Sequence, residues 1–297
     1  MFAGRWNGWL GSLVMSEKDK RPSIPLIASV SGGKDSAAMC LHLREMGIEY
    51  RAVFMDTGWE SNVTYDYLRG PLDEKIGPIE WIKPPLSMPA LILKKGMFPG
   101  RLRRYCTQEL KIFPYIAWVR KHYADQVVVN AVGIRAGESA ARALLAVTAP
   151  MRETANKIIV WRPLLSWSTD DVIEVHKRHD LKPNPLYLSG AARVGCWPCI
   201  FARKKELRFV ADNDPKRIEQ IRLLEGLVSD AAKERYAKKG ETLESNSAPT
   251  FFGRGDPTLT IDEMVDWSRT AYGGKQYELF SDSDREGCMR WGMCESD

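Results

Sequence analysis

Six consecutive residues, Ser31-Gly32-Gly33-Lys34-Asp35-Ser36, bring together two hydroxyls, a pair of glycines, a cation and a carboxylate. Adjacent glycines let the backbone turn tightly and direct its N–H groups at an anion. A helix starting here adds the favourable field of its N-terminus, and Lys34 adds a countercharge. The order is not that of a Walker loop, where Ser or Thr follows the lysine at once. Here Asp35 separates Lys34 from Ser36. The chemistry open to such a loop is the holding of a phosphate-like anion; a plain glycine turn between a strand and a helix carries the same local signature.

Other polar groups follow apolar runs in the same way. Asp56 in "FMDTGWE" could hold Mg²⁺ or a ribose hydroxyl, or simply form a turn. In "GIRAGESAAR", Arg135 and Arg142 could clamp phosphate or sulfate, or pair with Glu138 on a helix surface. "WRPLLSWSTDDV", with Trp167 and Asp170, reads as a capped helix start. Six cysteines in one chain point to metal or redox chemistry more than to a disulfide framework. Cys196 and Cys199 stand at C-x₂-C spacing in "GCWPC", suited to one metal or cluster. A thioredoxin-like pair has the same spacing, but the preceding segment is loop-like. Cys288 and Cys294 stand in the tail, and Cys40 reads as a core residue.

These residues need elements to position them. "PLIASVS" reads as a buried strand ending at the glycines, and "AAMCLHLREM" as a helix stopped by Gly47. "YRAVFMDTG", "DQVVVNAVGIR" and "KIIVWRP" read as further strands; "VTYDYLRGPL", "IFPYIAWVRKHYA" and "STDDVIEVHKRH" read as helices. Strands alternating with helices predict an α/β fold, a parallel sheet flanked by helices. From about Asp214 the pattern becomes charged helices. The expected organisation is an N-terminal extension over 1–21, a nucleotide-binding α/β domain over 22–200, and a helical C-terminal region over 201–297 that contributes cysteines. Residues 1–14 read as an extension upstream of a start at Met15. No run approaches the roughly 18 apolar residues of a membrane span, so a cytoplasmic protein without membrane partners is expected. The formal charge of +5 is compatible with anionic substrates and demands no nucleic acid.

The succession "SVSGGKDS", "FMDTGWESNVTYDYL", "RYCTQELKIFPY", "GIRAGESAAR", "RPLLSWSTDDV", "NPLYLSGAARVGCWPC" resembles the phosphoadenosine-phosphosulfate (PAPS) reductase family of the PP-loop ATP pyrophosphatases, over roughly residues 26–200. The resemblance implies an adenine-nucleotide α-hydrolase-like fold on a five-stranded sheet. It implies that Ser31, Gly32, Gly33, Lys34, Asp35 and Ser36 cradle the pyrophosphate of ATP with Mg²⁺, or the anionic end of PAPS. Asp56, Lys111, Arg135 and Arg142 are implied nearby. Cys106 lies where iron–sulfur members have a cysteine pair, here followed by Thr107. Cys106, Cys196, Cys199 and Cys288 are then expected to hold a [4Fe–4S] cluster, with Zn²⁺ as the alternative, and Cys294 is left for sulfur chemistry. The expected reaction is adenylation of a substrate, nucleic acid included, for sulfur transfer; reduction of PAPS or adenylylsulfate (APS) with a thiol donor is the alternative. A metal-stabilised nucleotide-binding subunit is the non-catalytic reading. Candidate partners are a cysteine desulfurase, a thioredoxin-like donor and a second copy of the chain.

Overall fold

The computed structural model describes residues 24–100, 102–124, 126–154, 157–240, 242, 248–253, 258–270 and 291. They fall into two compact units built from interleaved segments. One comprises the described residues up to Phe54 with Leu68–Trp81 and Ile116–Lys182; the other comprises Met55–Tyr67, Ile82–Tyr115 and the described residues from Pro183 onward.

The first unit is organised by a sheet of six strands in the order β3-β2-β1-β4-β6-β5. These are β1 (Leu26–Val30), β2 (Arg51–Met55), β3 (Ile79–Ile82), β4 (Val128–Val132), β5 (Thr148–Pro150) and β6 (Ile158–Trp161). β1 pairs in parallel with β2 and β4, β4 pairs in parallel with β6, and β5 runs antiparallel to β6. The α/β fold expected from the alternating pattern is therefore present, with one strand more than the five implied. The extra strand, β5, is a three-residue edge element containing Pro150. Proline lacks a donor and is tolerated at a sheet edge, which is also why its strand character is hard to read.

β1 and β4 are nearly continuous apolar runs because both are covered on two faces; Ile27, Ala28, Val128 and Ala131 are fully buried. Helix α1 (Lys34–Glu45) follows β1 after one tight loop and packs against α2 (Thr169–Arg178). α1 ends at Gly47, whose φ of +66° is a left-handed conformation that glycine adopts freely. The start of α2 is the capping box read from "STDD": Ser168 Oγ accepts from Asp171 N–H, and the Asp171 carboxylate accepts from Ser168 N–H at 2.7 Å.

The second unit has its own core, in which Trp59, Leu91, Ile92, Leu110, Ile221, Val228 and Phe251 are almost completely buried. Helices α3 (Lys204–Asn213), α4 (Pro215–Ala237) and α5 (Ile261–Arg269) pack on one another here. Glu225 of α4 ties the packing: its carboxylate accepts from Phe251 N–H at 2.8 Å and Ile261 N–H at 2.9 Å. No described helix is long and apolar enough to cross a membrane.

Candidate active site

In open α/β sheets ligands gather at the carboxyl ends of strands, where the strand order reverses. In the first unit that point lies between β1, from which the chain winds outward to β2 and β3, and β4 on its other side. The loop Ser31–Gly33 leaves β1 there and enters α1. Gly32 has φ +72°, the conformation that admits the turn, and Gly33 is the N-cap, which as glycine has no capping side chain of its own. A helix N-terminus and the exposed Ser31 hydroxyl are groups that can receive an anion.

The loop is braced from inside. Ser36 is buried; its Oγ donates to Gly33 C=O at 2.9 Å, accepts from Ser31 N–H at 3.2 Å and lies 3.2 Å from Ser31 Oγ. Ser36 therefore fixes the loop, and Ser31 carries the outward hydroxyl. Arg135, which follows β4, is buried and held three ways. Its Nε donates to Asp35 Oδ1 at 2.5 Å, its NH1 to Thr169 Oγ1 at 3.2 Å, and its own N–H to Glu138 at 2.9 Å. Lys34 Nζ lies 3.4 Å from the other Asp35 oxygen. One carboxylate thus places two cations beside the loop. Arg142 reaches this assembly through its ion pair with Glu138.

Two supports had no separate signal in the sequence motifs. Gly133, just past β4, passes so close to the loop that a Cβ would sit 2.6 Å from Asp35 O and 2.8 Å from Ser36 Cα. His176 of α2 is fully buried, with Nε2 3.0 Å from Lys34 O and Nδ1 3.0 Å from Leu181 O. Burial holds its pKa below the ordinary histidine value, against the pull of those carbonyls and of Asp35. Its helical spacing from the apolar Val172 and Ile173 was the available clue to an inward side chain.

The second unit gathers the remaining predicted residues around Glu60. Asp56 Oδ1 accepts from Tyr65 OH at 2.8 Å and from Gly58 N–H at 3.1 Å, which fixes the carboxylate in one orientation. Glu60 is buried and accepts from Thr57 Oγ1 at 2.8 Å, Trp59 N–H at 3.3 Å and Tyr65 OH at 3.2 Å; Cys196 Sγ approaches it at 3.9 Å. Burial and the adjacent carboxylates raise the Tyr65 phenol well above its ordinary range. Lys111 lies on a π-helical segment, Gln108–Ile112, and its electrostatic coupling to Cys196, then to Glu60, holds its ammonium above the usual lysine value against the opposing effect of burial. Neither Glu60 nor Tyr65 differs in sequence from an ordinary surface acid or helix tyrosine, so only packing reveals them.

Cys106, Cys196 and Cys199 are partly buried against the core of this unit and lie within electrostatic reach of one another. Burial pushes the Cys196 thiol up to about 11 and raises that of Cys106. Three thiols are a soft donor set, but the described residues hold no group of three or more His, Cys, Asp or Glu side chains arranged to grip a metal ion. Cys288 and Cys294 lie outside the described residues. The described donors do not by themselves close a [4Fe–4S] or zinc site. Cys40 is fully buried in the first unit, with burial pushing its thiol up to about 12.

The chain is similar to several known proteins. A 37.8 kDa protein encoded in the gpa 5′ region of Escherichia phage 186 is 30% identical, with 91% of this chain and 96% of the phage protein covered. The adenosine 5′-phosphosulfate reductase of Mesorhizobium japonicum is 30% identical, covering 58% of this chain and 65% of that enzyme. The crystal structure of phosphoadenylyl-sulfate reductase from Candida auris in complex with phosphate superposes with a TM-score of 0.46 at 20% identity, over 60% of this chain and 83% of that one. Residues 25–202, from the strand before the glycine loop to just past the C-x₂-C pair, match the phosphoadenosine phosphosulfate reductase domain, and the chain belongs to that family.

Proposed function

We propose that the chain is a PP-loop ATP pyrophosphatase that adenylates an oxygen of an acceptor, nucleic acid included, for sulfur transfer. The observation that carries this reading is the braced glycine loop at the start of α1, with Lys34 and Arg135 set beside it by one carboxylate, Asp35. Donors fixed before the reaction stabilise charge as it develops and need no reorganisation. Held there, the β,γ-pyrophosphate of ATP leaves the α-phosphorus open. An acceptor oxygen bonds to that phosphorus, the α–β bridging bond breaks, and pyrophosphate departs with the electron pair. A sulfur nucleophile then bonds to the activated centre and AMP leaves with the acceptor oxygen. Mg²⁺ would supply neutralisation of phosphate charge, and Asp56 is our candidate for holding it. Cys294 is our candidate for carrying sulfur, and Cys106, Cys196, Cys199 and Cys288 are our candidates for an iron–sulfur or zinc centre. A cysteine desulfurase or another thiol protein is the sulfur source the reaction needs.

Reduction of APS or PAPS to sulfite is the second reading, favoured by the name of the Mesorhizobium relative. Cys294 stands in "GMCESD", not in the E-C-G-L-H motif that the resemblance implies for assimilatory PAPS reductases. Anaerobically purified protein given ATP and Mg²⁺, or PAPS and a reductant, separates the two. Pyrophosphate release from ATP is expected, and Ser36→Ala should lower it by roughly tenfold or more, as loss of a preorganised loop does. Sulfite from PAPS with no ATP turnover would sink the first reading.

A further inference from the structure

Helix α4 carries apolar side chains on two opposite faces. Ile218, Ile221, Leu224, Val228 and Ala232 are buried in the core of the second unit. On the other side Leu223 and Leu227 are 65% and 54% exposed. A single exposed leucine needs no explanation, but these two belong to a pattern. Lys216, Gln220, Leu223, Leu227, Asp230 and Glu234 are all exposed, at successive spacings of four, three, four, three and four residues. That alternation is the 3.5-residue repeat of a helix–helix seam. At 100° per residue the six positions fall within an arc of about 80°, along roughly 27 Å of helix.

We infer that this face of α4 pairs with the same face of a second copy of the chain, the two helices antiparallel about a two-fold axis level with Glu225. The stripe is its own complement when reversed, because its spacings are symmetric about position 225 and its charges are opposite at the two ends. In that register Leu223 meets the partner's Leu227, Gln220 meets the partner's Asp230, and Lys216 meets the partner's Glu234. Each contact occurs twice, as an isologous interface requires. The leucines leave water at the centre, and the outer charges fix direction and register. A parallel pair would set Lys216, Asp230 and Glu234 each against its own copy, so like charges reject it. The two carboxylates on the stripe also decide against a nucleic-acid strand or an anionic membrane as occupant. Arg222, at the margin, is already held by the Asp262 carboxylate at 2.8 and 2.7 Å, and Asp230 has Lys233 at 3.3 Å on its own helix. The pairing is independent of the reaction proposed above.

The test is sedimentation equilibrium of the full chain across the micromolar range. A reversible monomer–dimer equilibrium is expected, micromolar because one helix seam is smaller than a standard interface. Leu223→Glu should weaken it by about tenfold or more, since a charge would be buried against leucine, with the melting temperature of the monomer unchanged. Lys216→Glu should weaken it by roughly three- to tenfold, there being two such pairs in each dimer. Lys216→Glu combined with Glu234→Lys should restore wild-type association to within about twofold, a rescue that only the antiparallel register gives. A chain that stays monomeric throughout, or a dimer indifferent to Leu223→Glu, overturns the pairing. Failure of the double substitution to restore what Lys216→Glu lost overturns the antiparallel register. A monomer whose melting temperature falls in Leu223→Glu also overturns the pairing, and gives the face to another segment of the same chain.

Discussion

Asp35 shows what a single residue does in this molecule. In sequence it is the intruder that spoils a Walker pattern; in the structure it orients Arg135 on one oxygen and Lys34 on the other. Both partners of the Asp35–Arg135 pair are largely buried, so removing one leaves an uncompensated charge. Asp35→Ala is expected to cost about 3–5 kcal/mol of stability, read by denaturant unfolding, and to abolish nucleotide-dependent activity. A variant with wild-type stability would show that Arg135 has another anchor. From type and spacing alone the glycines, Lys34 and Ser36 were legible as a tight strand-to-helix turn, and only the order of motifs along the chain made an anion loop the expectation. That Ser36 turns inward while Ser31 faces out was not legible, because both are serines at a loop end and only the packing of α1 tells them apart.

At the scale of elements, the site depends on how closely β4 approaches the loop that follows β1. Gly133 permits that approach, since a Cβ there meets backbone atoms that cannot rotate away. Gly133→Ala should therefore cost about 1–3 kcal/mol and weaken nucleotide binding, measured as a raised KM for ATP. Unchanged KM and melting temperature would show that the loop has slack. The strands β1, β2, β4 and β6 and the capped helix α2 were readable from apolar runs and the Ser168–Asp171 box. The strands β3 and β5 were not: Glu80 interrupts the apolar run of β3, where β6 of the same length is unbroken, and β5 is three residues ending in Pro150.

For the molecule as a whole, pH links helix α2 to the loop through His176. Its folded pKa is lowered by burial, so below the ordinary value of about 6.5 the unfolded chain binds a proton that the folded chain does not. Stability contributed by the neutral ring is complete above that pH and declines as pH falls beneath it. Asp35 opposes this decline and Lys34 reinforces it. Thermal melts at decreasing pH should show the loss, and His176→Gln, which titrates nothing there, should flatten the difference near pH 6; an unchanged profile would assign the pH dependence elsewhere. Sequence by itself determined the α/β class, the family and the glycine turn after β1, because these follow from local pattern and from the order of motifs along the chain. Tertiary structure alone decided which groups hold the loop, that Lys111 stands with Cys196 and Glu60, and that Leu223 and Leu227 of α4 lie outside the core. Those facts depend on contacts between residues far apart in the chain, and burial and electrostatic neighbours have no local signature in it.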